Sequence, residues 1–382
     1  MDKSKLIRIT TVPLSLDKLL SGQLNFMQSY YDVVAVSSEK DYLERIGTRE
    51  NVRTFHLEMS RKITPIKDFI AVVKLFLFLK NEKPLIVHTH TPKAGIVGML
   101  ASKLAGVPHR FHTVAGMPLL EAKGFTRKIL NFVEKVTYAC ATKVYPNSFG
   151  LQTIILENNF CNLNKLKVLA NGSTNGIDTS FFSNSWLSID QNRNLKIQLN
   201  ITEDDFVFVF VGRLVRDKGI NEMVSAFENL QKDNNRVKLL LVGDYESDLD
   251  PLLPETMDKI QENKSIIFVG FQNDVRPFFA ISNVLVFPSY REGFPNVVLQ
   301  AGAMGLPSIV SNINGCNEII INWQNGLIIP VKNQKSLFDA MKLVYNDMSL
   351  YNNLRSNSRQ RIVDFYEQKV VWEALLKEYE FH

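Results

Sequence analysis

NVLVFPSYREGFPNVVLQAGAMG, residues 283–305, joins a short apolar run to a small-residue segment through a Gly-Phe-Pro step. The run 283–289 is rich in β-branched residues and has the composition of a parallel strand buried on both faces. Pro295 has no N–H to lose and a preset φ, so it suits the first turn of a helix that Val297 to Met304 continue. Strand, tight turn and helix N-terminus together make a place where α/β proteins bind anions. Glu292 sits at that mouth. Taken alone, it either stabilises the helix end, as any acid near a positive dipole does, or serves a ligand.

The same alternation runs outward through the chain. LIRITTV, DVVAVS, PLIVHTH, HRFHTVAG, KVYPNS and LKVLANG read as strands of a first series, and DFVFVFVGRL, RVKLLLVGD, SIIFVGF, NVLVFPS and PSIVSN as a second, with amphipathic stretches between them. Alternation of this kind implies α/β architecture, with parallel sheets flanked by helices. The polar segment 184–205 lacks a core pattern and separates the two series. The reading is two Rossmann-like domains facing across a cleft, 1–180 and 181–382, with a terminal helix at about 359–381 free to return to the first.

Composition narrows the class. A chain of 382 residues with 45% hydrophobic and 22% charged residues suits a soluble two-domain protein. Its N-terminus lacks a signal-peptide core, and the apolar run 69–79 is short and broken by Lys74. Three scattered cysteines, Cys140, Cys161 and Cys316, indicate neither a disulfide framework nor a zinc knuckle, so a reducing cytoplasm is expected. Residues 1–180 hold 24 Lys and Arg against 14 Asp and Glu, whereas 181–382 hold 20 against 25. The basic half suits an anionic membrane surface. The basic residues are scattered and accompany no nucleic-acid-binding motif, so nucleic acid is not expected as a partner. Residues 118–141 combine apolar positions with Lys123, Arg127, Lys128 and Lys135, a pattern that fits either a membrane interface or packing on a sheet.

Several groups could carry chemistry. In VFVGRLVRDKGI (209–220) a strand ends at Gly212, and Arg213 and Lys218 follow it. A guanidinium and an ammonium beyond a strand's carboxyl end can converge on a diphosphate. His88, His90, His109 and His112 lie on neighbouring strands, but no carboxylate stands close in sequence to complete a metal site. Asp248 and Asp250, in DLD, read as a solvated loop, so no essential metal or other cofactor is expected. Gly22 follows the first strand, where it would let the backbone close over a bound ligand.

GRLVRDKG, REGFPNVVLQA, NGIDTSFF (175–182) and residues 87–119 together resemble the family-4 retaining glycosyltransferases of GT-B fold, most of all bacterial enzymes of capsular and O-antigen polysaccharide synthesis. The resemblance spans essentially the whole chain. It implies that Arg213 and Lys218 bind the donor diphosphate and that Glu292 contacts donor-sugar hydroxyls. The Gly293, Phe294, Pro295 and Asn296 backbone would cover sugar and phosphate. Where the family has a second acid on the nucleotide ribose, this chain has Gln300, whose amide oxygen accepts a weaker bond. A family histidine near the donor sugar is assigned to His112, although members commonly carry it in a Thr-x-His-Gly pattern, where this chain has Ala115.

The resulting expectation is a cytoplasmic, peripherally membrane-associated retaining transferase with an N-terminal acceptor domain and a C-terminal nucleotide-sugar domain. It would move a sugar from a nucleotide-diphosphate donor, a UDP-sugar, to a polyprenyl-diphosphate-linked saccharide. Two rivals share the architecture: a nucleotide-sugar 2-epimerase and a catalytically silent nucleotide-sugar-binding protein.

Overall fold

The computed structural model describes residues 3–381 except Arg61, Pro118, Leu120, Glu121, Leu187 and 247–249. Twelve strands form two six-stranded parallel sheets among these residues. The first holds β1 (Lys5–Ile9), β2 (Asp32–Ser37), β3 (Arg53–His56), β4 (Ile86–His90), β5 (His109–Val114) and β6 (Lys143–Pro146), in the order β3-β2-β1-β4-β5-β6. The second holds β7 (Phe206–Val211), β8 (Val237–Val242), β9 (Ile266–Phe268), β10 (Val284–Phe287), β11 (Ser308–Ser311) and β12 (Gly326–Ile329), in the order β12-β11-β10-β7-β8-β9. Both are doubly wound. The strand order reverses between β1 and β4 in one sheet and between β7 and β10 in the other, and such reversals are where α/β sheets open a ligand site.

The central strands show why the sequence takes this form. In β7, FVFVFV, every side chain but that of Val211 is buried, because helices cover both faces of the sheet. Helices Pro65–Glu82, Pro92–Ala105 and Gly124–Cys140 pack side by side in sequence order in the first half. The first two start with Pro in their opening turn and end at the left-handed residues Lys83 and Gly106.

The chain divides into two compact units, Met1–Asn175 with Lys369–His382, and Gly176–Gln368. Five elements differ from the sequence reading. The edge strands β3 and β12 went unread, because RTFH is largely in water and GLII is too short to give a pattern. LKVLANG is no strand; Leu166 makes one isolated bridge to Val144. Within the polar segment 184–205, Ser188 and Gln191 close a capping box on helix Ile189–Gln198. The single terminal helix is two, Met348–Tyr366 and Gln368–Glu380, broken where Glu367 turns its carboxylate onto the backbone N–H of Thr179, 3.1 Å away.

Candidate functional site: the carboxyl ends of β7 and β10

Beyond β7 the chain turns at Gly212, exposes Arg213, and makes one tight turn, Arg216–Lys218, before helix Ile220–Gln231. Beyond β10 it runs through Ser289 to Glu292 and Gly293 and enters helix Asn296–Ala303, with Pro295 at the N-cap. The strand-order reversal brings the two loops together. Lys218 Nζ is ion-paired with Glu292 Oε1, both side chains being mostly buried. The Ser289 hydroxyl donates to the same oxygen at 3.0 Å. Lys218 is thus no free ammonium, since its charge is met by Glu292. Arg213 does stand in water, 57% exposed, and pairs with Glu246.

The surrounding frame explains how these groups hold position. Gly219 has φ 71°, and a Cβ there would come within 2.3 Å of the Pro288 carbonyl oxygen, so the Lys218 turn rests directly on the end of β10. Asp250 takes the Asp217 backbone N–H at 2.7 Å and pairs with Arg216 at 3.1 Å, fixing the turn from the other side. This half of DLD is thus committed to the loop; Asp248 lies outside the described residues. Asp217 in turn pairs with Arg291 at 2.6 Å, while burial raises its carboxyl above the usual range.

Two contributors escaped the sequence reading. Asn314 Nδ2 donates to the Gly293 carbonyl at 3.2 Å and also to that of Glu292. Gly315, at φ 76°, lies so close that a Cβ would stand 2.7 Å from the Gly293 oxygen and 2.8 Å from Phe294 Cα. Their signal was an Asn-Gly pair directly after a strand, in SNINGCNE (311–318). Phe294 itself turns inward, 9% exposed, with its ring 5.6 Å from that of Tyr366. Asn296 is exposed, and no side chain caps the helix it opens, which leaves first-turn amides for an anion. Gln300, one turn on, is half-buried on the same helix.

The first unit holds the remaining predicted residues. Gly22 N–H donates to Glu50 at 3.1 Å, and the Trp372 ring occupies the space a side chain would take. His112 lies inside the unit. It is 3% exposed, its Nδ1 lies 2.7 Å from Thr89 Oγ1, and its ring packs against Gly95 of helix Pro92–Ala105. Burial lowers its pKa to about 4, so it is neutral. Strand alternation sends His88 and His90 to the opposite face. There His88 meets Tyr379 Oη at 2.6 Å, and His90 Nε2 accepts from Arg8 at 2.9 Å. Arg8 is wholly buried and also donates to Gln23 at 2.5 Å. These histidines hold the polar interior of the unit together. Among the described residues no three His, Cys, Asp or Glu side chains converge as metal ligands do.

Residues 191–361 match the model of the glycosyl transferases group 1 family, and residues 26–172 match a glycosyl transferase 4-like domain. The chain is 31% identical to the capsular polysaccharide biosynthesis glycosyltransferase CapM of Staphylococcus aureus, over 98% of this chain and 96% of CapM. It is also 31% identical, over 85% of its length and 81% of the relative's, to an Escherichia coli UDP-Gal:alpha-D-GlcNAc-diphosphoundecaprenol alpha-1,3-galactosyltransferase. Among solved structures, HepE of Anabaena in complex with UDP aligns with a TM-score of 0.82 at 16% identity, covering 99% of this chain and 100% of HepE. A Rickettsia africae glycosyltransferase aligns at 0.81 and 16% identity, covering 100% and 98%. The doubly wound sheets, the paired loops at the second strand-order reversal and these matches agree: the chain belongs to the group 1 glycosyltransferases and has their GT-B fold.

Proposed function

We propose that this glycosyltransferase is retaining and metal-independent, and that it moves a sugar from a UDP-sugar to a polyprenyl-diphosphate-linked saccharide at the inner face of the cytoplasmic membrane, in capsule or O-antigen synthesis. The observation that carries the reading is the meeting of Lys218, Glu292 and an uncapped helix N-terminus at the β7/β10 reversal. The relatives' names support the substrate classes. One uses UDP-Gal and a diphosphoundecaprenol-linked sugar, and a Campylobacter jejuni relative at 25% identity is named for a diphospho-undecaprenol acceptor.

In this mechanism Lys218 exchanges Glu292 for the donor diphosphate, Arg213 leaves Glu246 for it, and the amides at Asn296 take a phosphate oxygen. Glu292, released, accepts hydrogen bonds from the sugar's hydroxyls. Fixed positive groups then stabilise the departing nucleoside diphosphate where charge develops. The acceptor hydroxyl attacks from the face the diphosphate leaves; the bond from anomeric carbon to diphosphate breaks as the new glycosidic bond forms. The hydroxyl proton passes to the departing phosphate.

The test is transfer from a panel of nucleotide sugars to an undecaprenyl-diphosphate-linked saccharide, with and without EDTA, the product's anomeric configuration being read by NMR. Transfer with retention and unaffected by chelation is expected. Inversion, or loss of activity that a divalent ion restores, overturns the mechanism, and a 2-epimerised sugar with no transfer makes the chain an epimerase.

A further inference from the structure

Helix Pro65–Glu82 buries Ala71, Leu75 and Leu79 against the first unit, as a surface helix should. Its opposite face is also apolar. Ile66 (78% exposed), Phe69 (69%), Ile70 (48%), Val73 (40%) and Leu77 (60%) form one continuous stripe over three turns. A helix apolar on both faces is normally enclosed, and this one is not. Across helix Pro92–Ala105, helix Gly124–Cys140 exposes Phe125 (77%) and Phe132 (68%), alternating with exposed Lys128 and Lys135.

The charges beside the stripe have one sign. Lys67, Lys74 and Lys80 are exposed along it, and among the described residues none of them, nor Lys128 or Lys135, is paired with a carboxylate. The acids of the helix are already taken: Asp68 pairs with Lys93, and Glu82 with Lys5 and Arg53. A water-facing apolar stripe with unpaired ammonium groups alongside matches the headgroup layer of an anionic bilayer, where apolar side chains enter the acyl boundary and lysine stems reach up to phosphate. No described helix is long and apolar enough to cross a membrane.

We propose that helix Pro65–Glu82, with Phe125 and Phe132, is the surface by which this chain lies on an anionic lipid bilayer. The proposal deepens the lipid-linked acceptor reading above and rests on it for its purpose. Of the stretch 118–141 that the sequence suggested, it keeps Phe125 and Phe132 but not Leu119, which is buried, nor Ile129, Leu130, Val133 and Val136, which are half-buried.

The test is co-sedimentation of the full chain with vesicles of phosphatidylcholine, alone or mixed with phosphatidylglycerol. Binding to the mixed vesicles, weakened by salt, is expected. The double variant Phe69→Asp, Leu77→Asp should reduce it by about tenfold or more with unchanged thermal unfolding. Lys67→Glu with Lys74→Glu should remove the preference for the anionic mixture. Wild-type binding to neither vesicle, or double-variant binding equal to wild type, overturns the proposal. So does a concentration-dependent dimer that the double variant abolishes, since a second copy would then be the occupant. Transfer to the acceptor in detergent separates the two readings. Transfer without vesicle binding removes the membrane surface alone, whereas vesicle binding without transfer leaves the surface standing and removes the acceptor.

Discussion

The Lys218–Glu292 pair sets a competition at the level of single residues. In the proposed mechanism Glu292 holds the ammonium that the donor diphosphate would take, so Glu292→Gln should tighten UDP binding severalfold, about 1 kcal/mol, by freeing Lys218 and removing a nearby negative charge. Sugar transfer should nevertheless fall about 100-fold, because hydroxyl contacts made in the transition state are lost. Calorimetry with UDP beside turnover measurements separates the two effects, and weaker UDP binding would mean that the pair does not compete with the ligand. Arg213→Ala and Lys218→Ala should each cost about 100-fold in kcat. Their stabilities should differ: Arg213 is exposed and replaceable, whereas losing Lys218 leaves a mostly buried carboxylate with Ser289 as its remaining side-chain partner, at a cost of about 1–3 kcal/mol in urea unfolding. Gln300→Glu asks whether the half-buried position one turn into the helix touches ribose. A charge-assisted bond there should lower KM for the donor with kcat little changed, and a KM constant across salt concentrations would place residue 300 away from the nucleotide.

Elements bring these residues together by close backbone approach. Gly219→Ala forces a Cβ into the Pro288 carbonyl and strains a left-handed backbone, so it should destabilise the second unit by about 2 kcal/mol or more and weaken UDP binding as the Lys218 turn shifts; urea unfolding and calorimetry read the two effects. At this scale the limits of the sequence become visible. Runs such as FVFVFV declare a buried strand by composition, and the Glu292 loop declares itself by lying between such a strand and Pro295. The Lys218–Glu292 contact joins loops 74 residues apart and depends on β7 and β10 being neighbours, which local pattern does not encode. His112 shows the same limit. Alternation separates neighbours within a strand, but only the β4–β5 register, pairing Thr89 with His112, places that ring under helix Pro92–Ala105 and apart from His88 and His90.

For the molecule as a whole, the buried histidines make stability depend on pH. His88 and His90 are held neutral with pKa values well below 6.5, chiefly by burial, and His112 by burial at about 4. Unfolding exposes them to protonation at about 6.5, so their contribution is complete above that pH and is lost as pH falls from 6.5 toward 4. Each should remove roughly 1 kcal/mol per pH unit in that window, visible as a steep fall in urea midpoint between pH 6 and pH 5. The interior that His88 and His90 occupy is closed by Tyr379, from a segment that rejoins the first unit after the whole second unit has been traversed. During synthesis the first unit therefore cannot be completed before the second has been made. Domains generally fold as they leave the ribosome, the N-terminal one first. Here Gly176–Gln368 can complete its fold while the earlier unit waits, with His88 lacking its phenol partner until Tyr379 has been made.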